Sequence, residues 1–418
     1  MSAHTQPEAD VIVIGGGVIG LSIGWRTAQQ GLRVVIADPA PAQGATHAAA
    51  GMLTPIAEAA YAERDIFGLG QDSLRRYPGF VAELEAATGM PTGFRKCGTL
   101  QVAYDSDDLA ALAETQLLQE SFGVHLQRLS ARECRNAEPM LDPTVQGGLL
   151  GTDDGSVDPR LLARALLLAA EAAGARIVRQ PVIEVLCAER RVSGARLADT
   201  SVIAARWIVL AAGWQSAHLP GLPPGLTPPV RPVKGQIMRL RTTAAMTAAG
   251  IPAGLLRRTV RGVVQGSIVY LVPRNSGELV VGATQEELGP DTSVTAGGMW
   301  ELLRDARTLV PGVTELEFVD VVAGLRPGTP DNSPIIGPSE LPGLVLATGH
   351  FRAGVLLAPV TADTVASFLR TGEPDPGWRA FGAGRFAVRG RQLRSDGQPE
   401  AGGDLDRAVQ PEGAGACG

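Results

Sequence analysis

An apolar run followed by closely spaced glycines near the start of the chain constrains the fold more than any other feature. Residues 11–14 are all apolar, which is typical of a strand buried on both faces. Gly15, Gly17 and Gly20 follow with the spacing G-x-G-x-x-G. In this motif the first glycine allows a tight turn, the second lets the backbone approach a pyrophosphate, and the third lets a helix pack close to the strand. The motif predicts a nucleotide-binding turn.

The segment after the glycines continues the pattern of a dinucleotide-binding unit. Residues 18–30 carry apolar side chains at helical spacing, which predicts a helix whose N-terminal N–H groups and dipole face the phosphates. A second, mostly apolar run, residues 33–37, ends at Asp38. This acid lies about 20 residues beyond the glycines, where a carboxylate accepts hydrogen bonds from a ribose. It disfavours the 2′-phosphate of NADP, and the motif leaves FAD and NAD as alternatives.

The composition argues against several other classes of protein. The 418 residues are enough for two domains with sizeable cores. The net charge is -6 and no cluster of lysine and arginine is present, which argues against nucleic acid and anionic lipid as partners. The apolar runs are short and interrupted by glycine, so we expect no transmembrane helix. The N-terminal residues lack the pattern of a secretory signal, which predicts a cytoplasmic protein.

The cysteines show no sign of a redox or metal site. Cys97, Cys134, Cys187 and Cys417 form no C-x-x-C pair and no zinc spacing with histidine. We therefore predict reduced, structural thiols and no metal site.

Residues 39–53 are nearly all small, and two interpretations of them stay open. Small side chains let a backbone lie close to a flat ligand. The same composition is also typical of a flexible loop that leads into an alanine-rich helix.

The rest of the chain predicts an α/β protein with two interleaved domains. Segments 8–88, 147–226 and 321–385 have the alternating strands and helices of a nucleotide-binding domain. Segments 89–146 and 227–320 read mainly as antiparallel strands with helices.

Three finer predictions accompany this division. The stretch Asn275-Ser-Gly277 is typical of a hairpin turn between two strands. Residues 313–325 are predicted to be mostly extended. Residues 386–418 are predicted to be a disordered tail, because they are polar and rich in glycine.

Several stretches form a combination that is typical of one family. They are the N-terminal glycine motif and residues 48–53, 232–235, 270–274, 281–284, 324–329 and 349–359. Together they resemble the FAD-dependent amine oxidases of the D-amino-acid oxidase superfamily, and within it the glycine oxidases of the ThiO type, over about residues 8–380. The resemblance implies a glutathione-reductase-like FAD-binding domain interleaved with a substrate domain whose antiparallel sheet covers the flavin.

The resemblance also implies FAD rather than NAD. Relatives that hold FAD covalently use a cysteine in the C-terminal half, and this chain has no cysteine between Cys187 and Cys417. The FAD is therefore predicted to be non-covalent.

The resemblance assigns many residues to the cofactor. Val182 matches the position whose backbone meets the adenine, and residues 350–356 match the turn and helix start against the flavin ring. A helix N-terminus there would stabilise negative charge on the reduced flavin. The residues expected to contact FAD are Gly15, Gly17, Val18, Ile19, Gly20, Asp38, Pro39, Ala45, Thr46, Ala50, Gly51, Met52, Val182, Gly213, His350, Phe351, Arg352, Ala353, Gly354, Val355 and Leu356.

Three polar residues match the substrate pocket of the family, namely Arg326, Arg352 and Tyr270. Arginine suits a carboxylate because its planar fork matches two oxygens, and Arg326 is the first choice for that role. Each residue has an ordinary alternative, because arginines are commonly solvated or ion-paired and strand tyrosines are often core residues.

No catalytic side chain is strictly required, because the flavin accepts the hydride. His350 is therefore expected to be a turn residue and not a base. Ile268 stands where some glycine oxidases carry a histidine, two positions before the tyrosine, which predicts a more apolar pocket.

The activity that the resemblance implies is oxidation of glycine and related small primary or secondary amino acids. Hydride transfer from the α-carbon to FAD would give an imine, then glyoxylate and ammonia, and oxygen would become hydrogen peroxide. In thiamine synthesis the imine would pass to thiazole synthase. Family analogy implies a homo-oligomer, a tetramer. Two alternatives stay open: a D-amino-acid or sarcosine dehydrogenase that passes electrons to a quinone, and a non-catalytic FAD-binding subunit.

Overall fold

Two β-sheets make up the centre of the structure, a computed structural model that describes residues 8–55, 64–124, 126–264 and 266–386. The described residues as far as Ala383 belong to one unit, which contains both sheets. The strands in chain order are β1 (Ala9–Ile14), β2 (Val34–Ala37), β3 (Met52–Leu53), β4 (Thr99–Ala103), β5 (Gln127–Ser130), β6 (Gly147–Gly151), β7 (Gly155–Ser156), β8 (Arg176–Val178), β9 (Val182–Ala188), β10 (Arg191–Leu197), β11 (Val202–Leu210), β12 (Arg231–Arg241), β13 (Thr259–Val264), β14 (Ser267–Pro273), β15 (Glu278–Gly282), β16 (Glu317–Gly328), β17 (Ile335–Pro338) and β18 (Leu344–Thr348).

The helices lie around and between these strands. The α-helices are α1 (Val18–Gln29), α2 (Ala45–Ala48), α3 (Arg64–Thr88), α4 (Ser106–Ser121), α5 (Ala131–Ala137), α6 (Pro159–Ala172), α7 (Ala244–Ala248), α8 (Ala296–Leu309) and α9 (Gly354–Thr371). Short 3₁₀ helices cover Gly213–His218, Pro311–Glu315, Phe351–Ala353, Pro376–Phe381 and Ala383–Phe386.

The first sheet has the strand order β17-β18-β11-β1-β2-β8, and β9 and β10 form an antiparallel pair attached to β11. Strand β1 is parallel to β2 and β11, and β18 is parallel to β11. Helices α1, α3, α6 and α9 share a hydrophobic core with this sheet, which explains why residues 34–37 and most of β1 are buried. Because these strands are parallel, their carboxyl ends lie together at one edge of the sheet.

The second sheet has the order β16-β12-β15-β14-β13-β4-β6-β5 and is antiparallel except for the pair β13–β4. Helix α8 packs against it, with Leu302, Ala306 and Leu309 in the same core as Val260 and Leu271. The predicted hairpin is confirmed, because β14 and β15 pair antiparallel on either side of residues 274–277.

Strand pairing shifts two of the predicted segment boundaries. Strand β6 was expected in the first domain, but it lies between β4 and β5 of the second sheet. Strand β16 belongs to the second sheet over its whole length, although the third nucleotide-binding segment was predicted to begin at residue 321. The sheet to which each of these strands belongs is set by its hydrogen-bonding partners, which are distant in sequence.

Residues 311–315 form a 3₁₀ helix, so the extended segment begins only at Glu317. The predicted disordered tail lies, apart from Phe386, outside the described residues.

The segment Phe351–Thr371, which is α9 with the turn before it, is long and apolar enough to cross a membrane. The sequence had predicted that no such segment is present. In the structure 67% of that apolar window is buried inside the protein. The helix packs against α1 and α3 in the first core, which accounts for its apolar composition.

Candidate functional site

A cavity of about 770 Å³ lies where the carboxyl ends of the parallel strands meet the second sheet. The first sheet contributes the turn between β1 and α1, residues from 37–54, the 3₁₀ helix Gly213–His218 and the turn before α9. The second sheet contributes residues of β12, β14 and β16. Small-molecule sites commonly have volumes of roughly 300–1,000 Å³. Its position is the one where open α/β sheets bind ligands.

The glycine turn at one end of the cavity has the geometry that the motif predicts. Gly15 has φ +110°, and a Cβ there would collide with the carbonyl of Ala211. Gly17 precedes α1 and has no side chain to cap it, so the helix begins with N–H groups beside the cavity. The hydroxyl of Thr46 accepts the N–H of Val18 at 3.0 Å. This end of the cavity is suited to a pyrophosphate.

Asp38 ties the glycine turn to the loop that follows β2. Its two carboxylate oxygens accept the N–H of Gly16 at 2.6 Å and the N–H of Ala40 at 2.7 Å. The residue also lines the cavity. Each carboxylate oxygen has a further lone pair, so the side chain can hold the turn and still accept a hydrogen bond from a ribose hydroxyl.

The small residues after Asp38 form an ordered wall of the cavity. Residues 45–48 form α2, and β3 pairs with β7. A Cβ on Gly51 would collide with the carbonyl of Val157, so the backbone runs close to its neighbour there. Arg274 donates to the carbonyls of Ala50 and, at 2.7 Å, of Val157. The stretch thus lines the cavity and also contains a short helix, so it has features of both interpretations.

The turn before α9 closes the cavity from the first sheet. Residues 353–356 line it, and α9 begins at Gly354 without a side-chain cap, so its positive dipole end faces the cavity. His350 is 2% exposed, and its Nε2 lies 3.2 Å from Oγ1 of Thr361. Burial lowers the pKa of His350 to about 3, so the imidazole is neutral near pH 7.

Arg326 on β16 presents its guanidinium to the cavity. Its Nη1 donates to the carbonyls of Lys234 at 3.3 Å and Thr284 at 3.2 Å. Its Nη2 and Nε have no hydrogen-bond partner among the described residues. Gly235 lies beneath the guanidinium, and a Cβ at that position would collide with Nη1 and Nη2. One side of the fork is thus held by backbone, and the other is available to a carboxylate.

The other two predicted substrate residues also line the cavity. Tyr270 lies on β14 beside Gly282, where an added Cβ would come within 2.6 Å of the tyrosine hydroxyl oxygen. Arg352 is exposed, with its guanidinium carbon 5.2 Å from the centre of the Phe351 ring. Ile268, two residues before Tyr270 on the same strand, is 48% exposed and is not among the residues that line the cavity.

Apart from Gly20, the cavity brings together the residues predicted to contact cofactor and substrate. Gly20 faces the strand instead, because a Cβ there would collide with the carbonyl of Gly15. It acts in helix packing, which is the role of the third glycine in the motif.

Several residues that line the cavity were not among the predicted contacts. They are Ile14, Ala37, Ala40, Gln43, Gly44, Ala48, Ala49, Thr54, Pro181, Ala211, Ala212, Trp214, Gln215, His218, Leu219, Pro220, Gly235, Ile237, Pro290, Thr292, Ala323, Gly324, Leu325, Pro327, Ala347 and Thr348. The first residues after β11 could have been found, because they follow the carboxyl end of a strand predicted to join the first sheet. Gly235, Gly324, Leu325 and Pro327 lie in stretches that carry the family resemblance, which could also have pointed to them.

Comparison with known proteins places the chain in a family. Residues 10–368 match a family model described as DAO, FAD dependent oxidoreductase. The Bifunctional protein ThiO/ThiG of Synechocystis sp. is 35% identical over 385 residues, which cover 91% of this chain and 54% of that protein. The chain thus spans about half the length of the bifunctional relatives that it matches.

Solved structures give the same result. Glycine oxidase from Geobacillus kaustophilus superposes with a TM-score of 0.81 at 32% identity, covering 90% of this chain and 98% of that one. Iminodiacetate oxidase (IdaA) from Chelativorans sp. BNC1 superposes with a TM-score of 0.79 at 27% identity, covering 89% of this chain and 98% of that one.

Fold and cavity together define a dinucleotide-dependent oxidoreductase in which a second, antiparallel sheet covers the nucleotide site. The predicted fold class is confirmed. The chain belongs to the DAO family of FAD dependent oxidoreductases, and its cofactor is FAD. The glycine turn, the uncapped start of α1 and the small-residue wall fit such a group.

Proposed function

We propose that the protein is an oxidase of glycine and related small primary or secondary amino acids, with non-covalently bound FAD. The observation that carries the proposal is the guanidinium of Arg326, held from one side by two backbone carbonyls on the wall of the cavity. Identity of 33% to glycine oxidase of Geobacillus kaustophilus over 93% of that protein supports it.

The residues of the chain act by binding and orientation. Arg326 binds the substrate carboxylate through its free edge, and Arg352 and Tyr270 border the same space. Holding the carboxylate aims the α-carbon C–H at the flavin, which converts a chance encounter into a positioned reaction. FAD bound in the cavity would supply the hydride acceptor and, on reoxidation by oxygen, would account for the hydrogen peroxide. The imine product reacts with water to give, from glycine, glyoxylate and ammonia.

His350 takes no part in proton transfer in this proposal. It is buried, its pKa is lowered to about 3 and its Nε2 faces Thr361. The side chain therefore shapes the turn before α9 and does not act as a base.

The wider context is also a proposal. The imine from glycine would pass to thiazole synthase in thiamine biosynthesis, which the joining of ThiO and ThiG in one Synechocystis chain supports. By analogy with the family, the protein would be a homotetramer, and we propose a cytoplasmic location.

The proposal is tested with purified, FAD-loaded protein mixed anaerobically with glycine, sarcosine, D-alanine, D-proline or L-proline. Glycine should bleach the flavin absorbance, and air should restore it promptly with formation of peroxide. Slow return of the colour in air would favour a dehydrogenase. No bleaching by any amine would favour a non-catalytic subunit.

Arg326→Ala tests the site itself. It should lower the rate of flavin reduction at low glycine by at least about 100-fold, since hydrogen bonds to charged groups are worth about 1.5–3 kcal/mol each. FAD should stay bound, because the glycine turn, Asp38 and the start of α1 at the nucleotide end of the cavity are unchanged. Arg307→Ala, at an exposed arginine of α8, is the control. Wild-type kinetics in Arg326→Ala would refute the assignment.

A further inference from the structure

The segment between β15 and α8, residues 283–295, runs across the substrate side of the cavity, and we refer to it as the strap. Its residues Pro290 and Thr292 line the cavity. Its first residues lie beside Arg326, because the carbonyl of Thr284 accepts a hydrogen bond from that guanidinium. The strap therefore borders both the carboxylate-binding group and the space next to it.

Lys234 holds the strap from beneath. This lysine of β12 has a completely enclosed side chain, 0% exposed. Its Nζ donates to Asp291 at 2.8 Å and lies 3.4 Å from a carboxylate oxygen of Glu286, and both acids belong to the strap. An enclosed ammonium needs such partners, because an unpaired buried charge is strongly unfavourable. The backbones of Lys234 and Glu286 also exchange two hydrogen bonds, at 2.8 and 3.0 Å.

Neighbouring residues of β12 extend this attachment. Gln236 donates to Glu286 at 2.7 Å and to the hydroxyl of Thr295 at 3.1 Å, and it accepts the N–H of Thr295 at 2.8 Å. Arg231 pairs with Glu287 at 2.9 Å. Every acid of the strap is thus bound by a side chain of β12.

The same attachment reaches Arg326. Its Nη1 is held by the carbonyls of Lys234 and Thr284. One carbonyl belongs to β12 and the other to the strap, so their separation is set by the contacts that join the two segments. If the strap moves away from β12, Arg326 loses one of its two fixed acceptors.

We infer that Lys234, acting through Glu286 and Asp291, is a positioning residue that sets the orientation of Arg326 and the size of the space beside Pro290 and Thr292. Lys234 does not line the cavity, so its effect is on binding and selectivity. The inference rests on the proposed function, in which Arg326 binds the substrate carboxylate. Removing the ammonium leaves two carboxylates facing an apolar side chain and releases the strap.

The test compares FAD-loaded Lys234→Met, Asp291→Asn and the double variant with the wild-type protein. Lys96→Met is the matched control, because Lys96 pairs with Asp153 at 3.3 Å on the surface. Flavin reduction is followed anaerobically over a range of glycine and D-proline concentrations. Hydrogen exchange of peptides that cover the strap is measured on the same samples.

Lys234→Met should raise the glycine concentration for half-maximal reduction about 10-fold and change the limiting rate less than about threefold. The backbone carbonyl of residue 234 still holds Nη1 in this variant, so the guanidinium loosens without being displaced, and the loss falls on substrate binding. Preference for glycine over D-proline should fall, and the strap should exchange faster. Asp291→Asn should act in the same direction, and the double variant should be little worse than Lys234→Met, because the two residues act as one unit. Lys96→Met should behave as wild type.

The inference would be overturned if Asp291→Asn and Lys234→Met left the glycine affinity and the hydrogen exchange of the strap unchanged. It would also be overturned if the loss of glycine affinity in the double variant equalled the sum of the losses in the single variants. If Lys234→Met does not fold, the glycine affinity and strap exchange of Asp291→Asn alone test the inference. Failure of the wild-type protein to react with glycine would refute the proposed function separately. The inference would then be tested by hydrogen exchange of the strap and by the affinity for acetate, which is measured by the change in flavin absorbance. Lys234→Met should lower that affinity.

Discussion

The position of the Arg326 guanidinium depends on a glycine, Gly235, beneath it. On the paired strands β12 and β16, Arg326 stands opposite Val233, and its guanidinium extends over Gly235. The carbonyls of Lys234 and Thr284 accept hydrogen bonds from Nη1 and fix its position. Glycine at 235 is thus required for space, and the orientation of the arginine is a joint property of three segments of chain.

Gly235→Ala should displace the guanidinium while leaving both strands paired. A misplacement of about 1 Å can cost about 100-fold in rate, so flavin reduction by glycine should fall by about that factor. Stopped-flow reduction kinetics and FAD content measure the two effects. Gly297→Ala, where an added Cβ meets nothing within 4 Å, is the control. Wild-type reduction by Gly235→Ala would show that Arg326 does not need this space.

The pair formed by β1 and α1 is the element that builds the nucleotide end of the cavity. Gly20 lets α1 lie against the carbonyl of Gly15, and Gly15 itself adopts a positive φ that only glycine adopts freely. The helix direction follows from this close contact. The N-terminal N–H groups of α1 therefore meet the cavity at the point where Asp38 and Thr46 tie the adjoining loop to the turn.

Gly20→Ala should push α1 away from the turn. Overpacking of a core typically costs 1–3 kcal/mol, and we expect about 3 kcal/mol in the free energy of unfolding here, because the added Cβ meets backbone atoms that cannot rotate away. FAD affinity should fall as well. Urea denaturation and FAD titration measure these changes. Gly68→Ala, in α3 with open space around it, should be neutral or stabilising. Equal behaviour of the two variants would contradict this account.

At the scale of the whole molecule, the cavity belongs to neither sheet alone. The glycine turn and Asp38 come from the first sheet, and Gly235, Tyr270 and Arg326 come from the second. A long ligand in this space contacts both, so its binding free energy is coupled to the docking of the sheets. The ligand should therefore stabilise the folded protein as a unit.

FAD at about 100 times its dissociation constant should raise the free energy of unfolding by about 2.7 kcal/mol over that of the apoprotein. FMN and ADP at the same concentration should each stabilise less, because each fills only one end of the cavity. Urea denaturation with each ligand measures the differences. Equal stabilisation by ADP and FAD would show that only the nucleotide end binds.

The sequence by itself determined the features that depend on local pattern. An apolar run, three glycines, a helical period and Asp38 specify a βαβ unit with a nucleotide turn, because strand, turn and helix propensities act within some 30 residues. Arg326 was found through its resemblance to a family motif. Its availability to a carboxylate was not predictable from that motif alone.

Only the tertiary structure decided how distant segments meet. The placement of β6 in the second sheet, the space over Gly235 and the attachment of the strap to Lys234 all come from pairings between residues far apart in the chain. Strand pairing and close backbone approach depend on which surfaces are brought together, and no local periodicity encodes that choice.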